Sequence, residues 1–357
     1  MALTFGQASS PSSITNYFDA LVSQSLANYK KTLVDNIGAS NAFLNKLITS
    51  DFYEEADGGM YIAQNLLTGL APMDSYDGHD ELGDTPTDGV TQAQFEWRQL
   101  SSPCIYSMKE IIQNQHKLSD LAKTKIMQTE MGIQEGWAVH FFQGSGNGAL
   151  GTPRVSPVNG SSSIEPLAKL IAFDPTASVS IGNINQNTNV FWRNATKTSA
   201  ATTYEGLLQE MNNLYNTCSL GTGGSPDLII MDQVTYELFC FAYFQKYRVL
   251  NYDPNFAFEN VRFKKALVVM EDKMHDAYSN LTSTATYGTM YMINTKFFRI
   301  RYHPERDWEM LKDENGKTFV KPLKGDSRIG HVAWMGNVTL NHRRKLGVLG
   351  KIARTLT

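Results

Sequence analysis

Residues 106–142 read YSMKEIIQNQHKLSDLAKTKIMQTEMGIQEGWAVHFF. Apolar side chains recur here every three or four positions, which is the spacing of one face of an α-helix. They are Ile111, Leu118, Ala122, Ile126, Ile133, Trp137 and Phe141. The pattern predicts a helix of about 35 residues, roughly 50 Å long and about three times the usual length. Because no heptad spacing is sustained, we do not expect a coiled coil.

The segment before this helix is acidic and free of lysine. No lysine occurs between Lys46 and Lys109, and Arg98 is the single base among eleven acidic residues. Glycine and proline recur along the segment, which predicts an extended hairpin. A hairpin of this length has too few neighbours to bury its own apolar residues. We expect such an arm to contact other chains. Its central acidic cluster is Asp74, Asp77, Asp80, Glu81, Asp84 and Asp88.

The acidic cluster also suits calcium, a hard cation that prefers carboxylate oxygens. It lacks the loop pattern D-x-[DN]-x-[DN]-G with a glutamate at the twelfth position. A solvated loop that faces a partner chain is therefore favoured over a calcium site.

Composition limits the classes of function. The chain has 357 residues, with 32 basic and 35 acidic side chains and a net charge of -3. Neutralising phosphates needs a basic excess, so a general nucleic-acid binder is disfavoured, although a local basic patch stays open. No apolar run approaches the roughly 20 residues that span a bilayer, and the N-terminus does not resemble a signal peptide. We expect a protein made inside the cell, without membrane contact.

Residue types that carry chemistry form no recognisable constellation. Cys104, Cys218 and Cys240 lack a C-x-x-C pair and are expected to be buried or inert thiols. No histidine has an acidic or cysteine companion at metal-ligand spacing. The turn at 221–224 lacks a following Gly-Lys-Ser/Thr, which favours an ordinary helix-to-strand connection over a phosphate loop. With no G-x-S-x-G elbow either, we predict no enzyme, no cofactor and no metal site.

The second half mixes helices and strands. A Gly/Ser/Asn/Pro-rich loop is predicted over 143–165, then helices over 203–218, with Thr203 as N-cap, and over 233–246. Strands are predicted at 227–231, 266–270, 290–293, 297–302 and 333–341. Without regular alternation, this order indicates an α+β fold and disfavours a doubly wound nucleotide fold or a barrel.

The C-terminal end is basic. Arg343, Arg344 and Lys345 form a run, and the last sixteen residues contain no acid. Nucleic-acid contact is one interpretation. A solvated strand edge that discourages unwanted pairing, and a basic surface that meets the acidic arm of a neighbouring copy, are both favoured over it. We predict intersubunit contacts for this run and for the acidic cluster.

The order of these parts, and several local stretches, resemble a known family. The stretches are 170–175, 181–185, 191–194, 226–232 with Tyr236, Tyr247-Arg248, Phe263, 267–270, 272–274 and 341–347. They are similar in order and spacing to the major capsid protein of tailed double-stranded DNA bacteriophages, the fold typified by phage Hong Kong ninety-seven. Each also has a packing explanation: Trp192 as a core residue, Gly182 as a turn and Arg193 as a partner at a buried edge.

The resemblance implies a phage major capsid fold. Its parts would be an N-terminal arm (1–50), an extension loop (51–105), a peripheral domain with the spine helix (106–221 and 297–342) and an axial domain (222–296 and 343–357). The implied function is a subunit that self-assembles, as hexamers and pentamers, into an icosahedral shell enclosing double-stranded DNA. We expect it in the virion, after assembly in the host cytoplasm. An encapsulin-like compartment shell is the alternative.

The implied partners are further copies of the chain, a scaffolding protein, a portal protein and DNA held through non-specific contacts. A decoration protein stays open. In the type member, a lysine of the extension loop attacks an asparagine of the next subunit, assisted by a glutamate. This loop has no lysine, so we predict a shell without that cross-link. About 50 residues precede the loop, which favours a separate scaffolding protein over a cleaved scaffolding segment.

Overall fold

The computed structural model describes residues 52–69, 73, 75, 77–79, 88–113, 121–143, 163–246, 261–271, 273–274, 287–312, 316, 318–322 and 325–356. The chain divides into two compact units, which are described separately. The smaller draws its described residues from 101–133 and 310–332, and the larger from 40–100, 134–309 and 333–357. The arm expected over 1–50, and most of the loop expected over 143–165, lie outside the described residues.

Helices and strands interleave along the described parts of the chain, which confirms the predicted α+β class. The helices are α1 (Met108–Gln113), α2 (Leu121–Gln143), α3 (Leu167–Leu170), α4 (Tyr204–Ser219) and α5 (Gln233–Lys246). The strands are β1 (Tyr53–Glu55), β2 (Ile62–Leu67), β3 (Val90–Phe95), β4 (Arg98–Ser107), β5 (Ser180–Ile181), β6 (Ile184–Asn185), β7 (Ala195–Thr198), β8 (Leu228–Met231), β9 (Arg262–Phe263), β10 (Ala266–Met270), β11 (Tyr287–Ile293), β12 (Phe298–Tyr302), β13 (Glu309–Met310), β14 (Ser327–Leu340) and β15 (Gly347–Ala353).

The long helix predicted over 106–142 is present as α1 and α2, and residues 114–120 between them are not among those described. The end of α2 that belongs to the larger unit carries the predicted apolar face. Trp137 and Phe141 are fully buried, and their rings stack at 4.9 Å. Trp137 also meets Trp334 of β14 edge-on at 6.3 Å, and Phe141 meets Phe298 of β12 at 6.1 Å. These aromatic contacts hold α2 against the sheet.

In the smaller unit, α1 begins at a capping box. The amide of Ser107 donates to the Glu110 carboxylate at 2.9 Å, and the amide of Glu110 donates to the Ser107 hydroxyl at 3.2 Å. This reciprocal pair satisfies two backbone donors that a helix start leaves unpaired. The ring of Tyr106 packs on Phe319 at 5.0 Å.

The core of the larger unit contains a six-stranded sheet in the order β7-β15-β11-β8-β10-β9. Its central strand β8 is buried along its whole length, which explains the unbroken apolar run Leu-Ile-Ile-Met. Helix α4 covers the sheet with the face predicted from its spacing, including Leu207, Met211 and Leu214. Thr203 caps α4 as predicted, because its hydroxyl accepts from the amide of Gly206 at 3.1 Å.

A second sheet has the order β1-β12-β14-β13, with β4 also paired to β14. Strand β1 runs parallel to β12, with Tyr53 opposite Ile300. Strands β12 and β14 are antiparallel, with Phe298 opposite Leu340. The prediction for β14 began six residues too late, because Ser327–Val332 alternates polar and apolar residues around a glycine and lacks an apolar run.

A buried guanidinium connects the C-terminal segment to residues 170–194. Arg343 has no exposed surface. Its Nε donates to the carbonyl of Leu170 at 2.9 Å, and Nη1 donates to the carbonyl of Trp192 at 2.6 Å. Both Nη atoms donate to Oε1 of Gln186, at 3.1 and 3.2 Å, and Nη2 also reaches Oδ1 of Asn194 at 3.0 Å. All five N–H donors of the side chain therefore have an acceptor.

The acceptors around Arg343 are neutral carbonyl and amide oxygens. Burial lowers the pKa of Arg343 to about 9, so the side chain is still charged at neutral pH. A buried charge is tolerated only when every donor is paired. The geometry of this site therefore depends on all four acceptor residues at once.

We predict that Arg343→Lys destabilises the subunit by about 3 kcal/mol or more. Lysine keeps the charge but has three donors in place of five, and each hydrogen bond to a charged group contributes roughly 1.5–3 kcal/mol. The measurement is equilibrium urea unfolding of unassembled subunits, followed by tryptophan fluorescence. The matched control is Arg344→Lys at the exposed neighbouring position, where we expect a change within about 0.5 kcal/mol. Equal midpoints for the two variants would contradict the assigned role of Arg343.

Candidate intersubunit surface

The lysine-free segment contains the predicted hairpin. Strands β2 and β3 pair antiparallel, with Ile62 opposite Phe95 and Leu67 opposite Val90. Beyond that last pair, the amides of Thr68 and Gly69 donate to the carbonyl of Gly89 at 2.7 and 3.3 Å. Pairing in the hairpin therefore extends from Ile62 and Phe95 as far as Gly69 and Gly89.

The two faces of the hairpin differ in burial. Ile62, Leu66, Ala93 and Phe95 are buried on the inner face. On the outer face, amide side chains occupy the middle: Gln92 donates to Asn65 at 3.2 Å. The pair farther along this face is apolar.

That pair, Leu67 and Val90, is 74% and 66% exposed. Five of the fourteen large apolar side chains that are exposed among the described residues lie between positions 60 and 90, namely Met60, Tyr61, Leu67, Met73 and Val90. Apolar surface concentrated in this way is typical of a protein interaction site. We refer to Leu67 and Val90, with the outer face of β2 and β3, as the hairpin face.

The inner face rests on the turn between β5 and β6. Gly182 and Asn183 both have positive φ, +59° and +61°, as a two-residue turn between antiparallel strands requires. The amide of Gln94 donates to the carbonyl of Gly182 at 2.9 Å. A Cβ on Gly182 would lie 3.0 Å from the ring of Phe95 and 3.1 Å from Cβ of Ala93. Only glycine lets the hairpin approach this closely.

The hydroxyl of the half-buried Tyr53 holds the strand that leads into the hairpin. Tyr53 in β1 donates to the carboxylate of Asp307 and accepts from the indoles of Trp308 at 3.1 Å and Trp334 at 2.8 Å. Burial raises the pKa of the Tyr53 hydroxyl, and it also raises the pKa of Asp307. The phenol therefore stays protonated and serves as a hydrogen-bonding node between β1 and the sheet.

The neighbouring residue adds ionic contacts. Glu54 accepts from Nε of Arg299 at 2.6 Å and from Nη2 of Arg301 at 3.0 Å. Both arginines are on β12, so the carboxylate ties β1 to its parallel neighbour. Partly exposed pairs of this kind contribute modestly to stability, and their main effect here is on orientation.

The predicted acidic contact residues are only partly described. Asp77 and Asp88 are exposed, and Asp77 accepts from the amide of Gly78 at 2.8 Å. The remaining four lie outside the described residues: Asp74, Asp80, Glu81 and Asp84. Where side chains are described, no ion pair joins Asp88 to Arg344. Intersubunit contact through these acids stays a prediction.

The basic run requires a correction, because it is not one surface. Arg344 is exposed, but Arg343 and Lys345 are 0% and 1% exposed. Nζ of Lys345 donates to the carbonyls of Leu220 at 2.8 Å and Gly221 at 3.2 Å, directly after α4 ends. A cation is favourable there because it complements the helix dipole. Both buried cations are used inside the subunit, so Arg344 alone of the three can meet a neighbour.

Thiols and metal-ligating side chains form no further cluster in the described parts of the chain. Cys104 and Cys218 are buried, Cys240 is half-buried, and all three are free thiols as predicted. Burial raises the pKa of Cys218 to about 12. The described residues contain no group of three or more His, Cys, Asp or Glu side chains placed to hold a metal, and no helix long and apolar enough to cross a membrane.

Sequence reasoning missed the Leu67–Val90 pair. A usable signal was present, since Leu66 and Leu67 are adjacent in a strand and consecutive side chains point to opposite faces. One of two adjacent leucines in a hairpin with a single buried face must therefore face solvent or a partner. No comparable sequence pattern indicates that Arg343 and Lys345 are buried.

The fold has known counterparts, although no protein-family model and no curated protein matches the sequence. A chain of the cyanophage A-1(L) capsid asymmetric unit aligns with 91% of this chain and 96% of its own, at a TM-score of 0.62 and 12% identity. The capsid of a native GTA particle aligns over 98% and 100%, at a TM-score of 0.55 and 10% identity. The holo-SrpI encapsulin complex of Synechococcus elongatus aligns over 94% and 96%, at 0.54 and 11% identity. The chain thus has the fold shared by phage capsid and encapsulin subunits, which confirms the predicted fold.

We predict that Gly182→Ala loosens the hairpin. The added methyl strains a positive-φ position and also pushes against Phe95 and Ala93. Hydrogen–deuterium exchange should show faster exchange in β2 and β3. Gly221→Ala is the matched control, because Gly221 has φ of +82° but nothing within 4 Å of an added Cβ. Unchanged exchange in the hairpin of the Gly182 variant would contradict the assigned contact.

Proposed function

We propose that this chain is a major capsid protein, a structural subunit that self-assembles into an icosahedral shell enclosing double-stranded DNA. The observation that carries the proposal is the extent of the shared fold. More than nine-tenths of this chain and of the cyanophage capsid chain align in three dimensions. The described residues contribute a second support, an apolar hairpin face that a single subunit leaves exposed.

In this proposal the hairpin face lies against a neighbouring subunit. Burying a leucine or valine side chain contributes roughly 1.5–3 kcal/mol. The contact is modest for one subunit, but closed symmetry repeats it around the whole shell. The contacts of Tyr53, Glu54 and Gly182 hold the hairpin in one orientation, which reduces the ordering cost of docking.

The predicted division into N-terminal arm, extension loop, peripheral domain and axial domain belongs to the proposal. So do hexamers and pentamers of the chain, a scaffolding protein, a portal protein and non-specific contact with packaged DNA. The acidic loop and Arg344 supply opposite charges for contacts between copies. A shell subunit needs neither catalysis nor a cofactor, so we propose no enzymatic role.

An encapsulin-like compartment is the second candidate, favoured by the match to the Synechococcus elongatus encapsulin complex. Both candidates use the same fold and differ in what the shell contains. Nucleic acid of genome length inside particles from infected cells supports the capsid. Packaged protein in place of DNA supports the compartment.

We predict that Leu67→Asp prevents particle formation but leaves the subunit folded. The substitution removes apolar contact area and places a charge where the neighbour would bury it. Negative-stain electron microscopy and sedimentation velocity measure assembly, and circular dichroism measures folding. Leu220→Asp is the matched control, because it makes the same change at a leucine that is also 74% exposed but lies outside the hairpin face. Normal particles from the Leu67 variant would count against the hairpin face as an interface.

We also predict that mature particles carry no covalent seam through this loop, because residues 47–108 contain no lysine. Particles boiled in detergent and reductant should run as a single monomer band. A ladder of covalent oligomers would contradict this.

A further inference from the structure

Helix α5 presents an exposed aromatic side chain that the fold does not use. Phe241 is 61% exposed, whereas Leu238, Phe239 and Ala242 on the other side of the helix are buried. One turn earlier on the same face is the exposed carboxylate of Glu237, which accepts from Gln233 at 3.1 Å. We call Glu237 and Phe241 the α5 ridge. It combines one aromatic ring with one negative charge.

The same unit contains a groove of about 710 Å³ between α4, α5 and the β9–β10 turn. Its apolar lining is Leu208, Tyr243 and Phe263, and its polar lining is Glu205, Gln209, Asn212, Arg262 and Lys264. The ionisable groups are two bases and one acid, so the groove carries a net positive charge. It combines an apolar floor with a basic edge.

The basic edge is held in place by local contacts. Lys264 has a positive φ of +54°. Its ammonium lies 2.8 Å from Oδ1 of Asn216 and 4.6 Å from the ring centre of Tyr215. These contacts fix the charge at the edge, where it can attract an acid without further ordering. Arg262 is exposed nearby.

The ridge and the groove lie on different sides of α5. Tyr243, which lines the groove, follows Phe241 by two positions, and two residues turn an α-helix by about 200°. Around the axis of α5, Phe241 and the groove residue Tyr243 therefore lie on nearly opposite sides. A ridge and a groove on different sides of one helix suit a head-to-tail contact, in which each copy uses its ridge on one neighbour and its groove on the other and the copies continue into a ring.

We propose that the groove receives the α5 ridge of a second copy of this chain. The ring of Phe241 would enter the floor of Leu208, Tyr243 and Phe263. The carboxylate of Glu237 would approach Arg262 and Lys264. The contact is heterologous, and it rests on the proposed shell function, for which it names one lateral interface.

Charge exchange tests the pairing in full-length protein. We expect Glu237→Arg and Arg262→Glu each to raise at least tenfold the subunit concentration needed for assembly. The double variant should recover most of the loss, because the ion pair is restored with its signs reversed. Phe241→Asp should impair assembly, whereas Leu220→Ala, at a side chain that is 74% exposed and outside both surfaces, should not. Light scattering measures assembly, and circular dichroism confirms folding.

Normal assembly of Phe241→Asp, or loss in both single variants without recovery in the double, would overturn the proposal. If Arg262→Glu alone impairs assembly, the groove has another occupant and the proposal also fails. None of these results contradicts the proposed shell function if the unaltered protein forms particles. An unaltered protein that never forms particles would instead contradict the proposed function.

Cysteine cross-linking tests the head-to-tail order. The double variant Glu237→Cys with Arg262→Cys keeps the Phe241 ring and places one thiol on the ridge and one at the groove of every copy, at the two ends of the proposed ion pair. After mild oxidation of assembled protein, a non-reducing gel should show a ladder beyond the dimer, and each single variant should show no such ladder. A double variant that stops at dimers, or stays monomeric, would overturn the proposal.

Discussion

The charge of Arg343, buried without a carboxylate among its hydrogen-bond partners, is the constraint on which the larger unit depends. Its five N–H groups need acceptors that lie roughly 150–170 positions earlier in the chain. Because an unpaired buried donor is costly, residues 170–194 can pack against the C-terminal segment in one arrangement only. That arrangement sets the parallel register of β7 and β15, with Ala195 opposite Gly347.

The same contacts reach the hairpin face. The carbonyl of Trp192 accepts a hydrogen bond from Arg343, and the indole N–H of Trp192 donates to the carbonyl of Ile181 at 2.9 Å. Ile181 precedes the Gly182–Asn183 turn on which Phe95 and the hairpin rest. A continuous set of hydrogen bonds and close contacts thus leads from the buried charge to the surface proposed to meet a neighbour. The interior of the larger unit and its candidate interface are therefore structurally coupled.

Much of this architecture could be predicted from local pattern. Helix α4 shows its apolar spacing and its Thr203 cap, and β8 shows an unbroken apolar run, because both elements follow from rules that act over a few residues. Which residues of the basic run are buried could not be predicted from the sequence. Arg343, Arg344 and Lys345 are adjacent and chemically alike, and only distant acceptors decide that two are interior and one is exposed. The α5 ridge was likewise hidden, because Phe241 lies in an aromatic-rich helix whose spacing alone does not separate core from surface.

The most direct test of the account is a cryo-electron microscopy reconstruction of particles formed by the full-length protein. The expected result is a closed icosahedral shell in which Leu67 and Val90 are covered by a neighbouring subunit. Protein that stays monomeric at every concentration, or a shell in which the hairpin face is open to solvent, would contradict it.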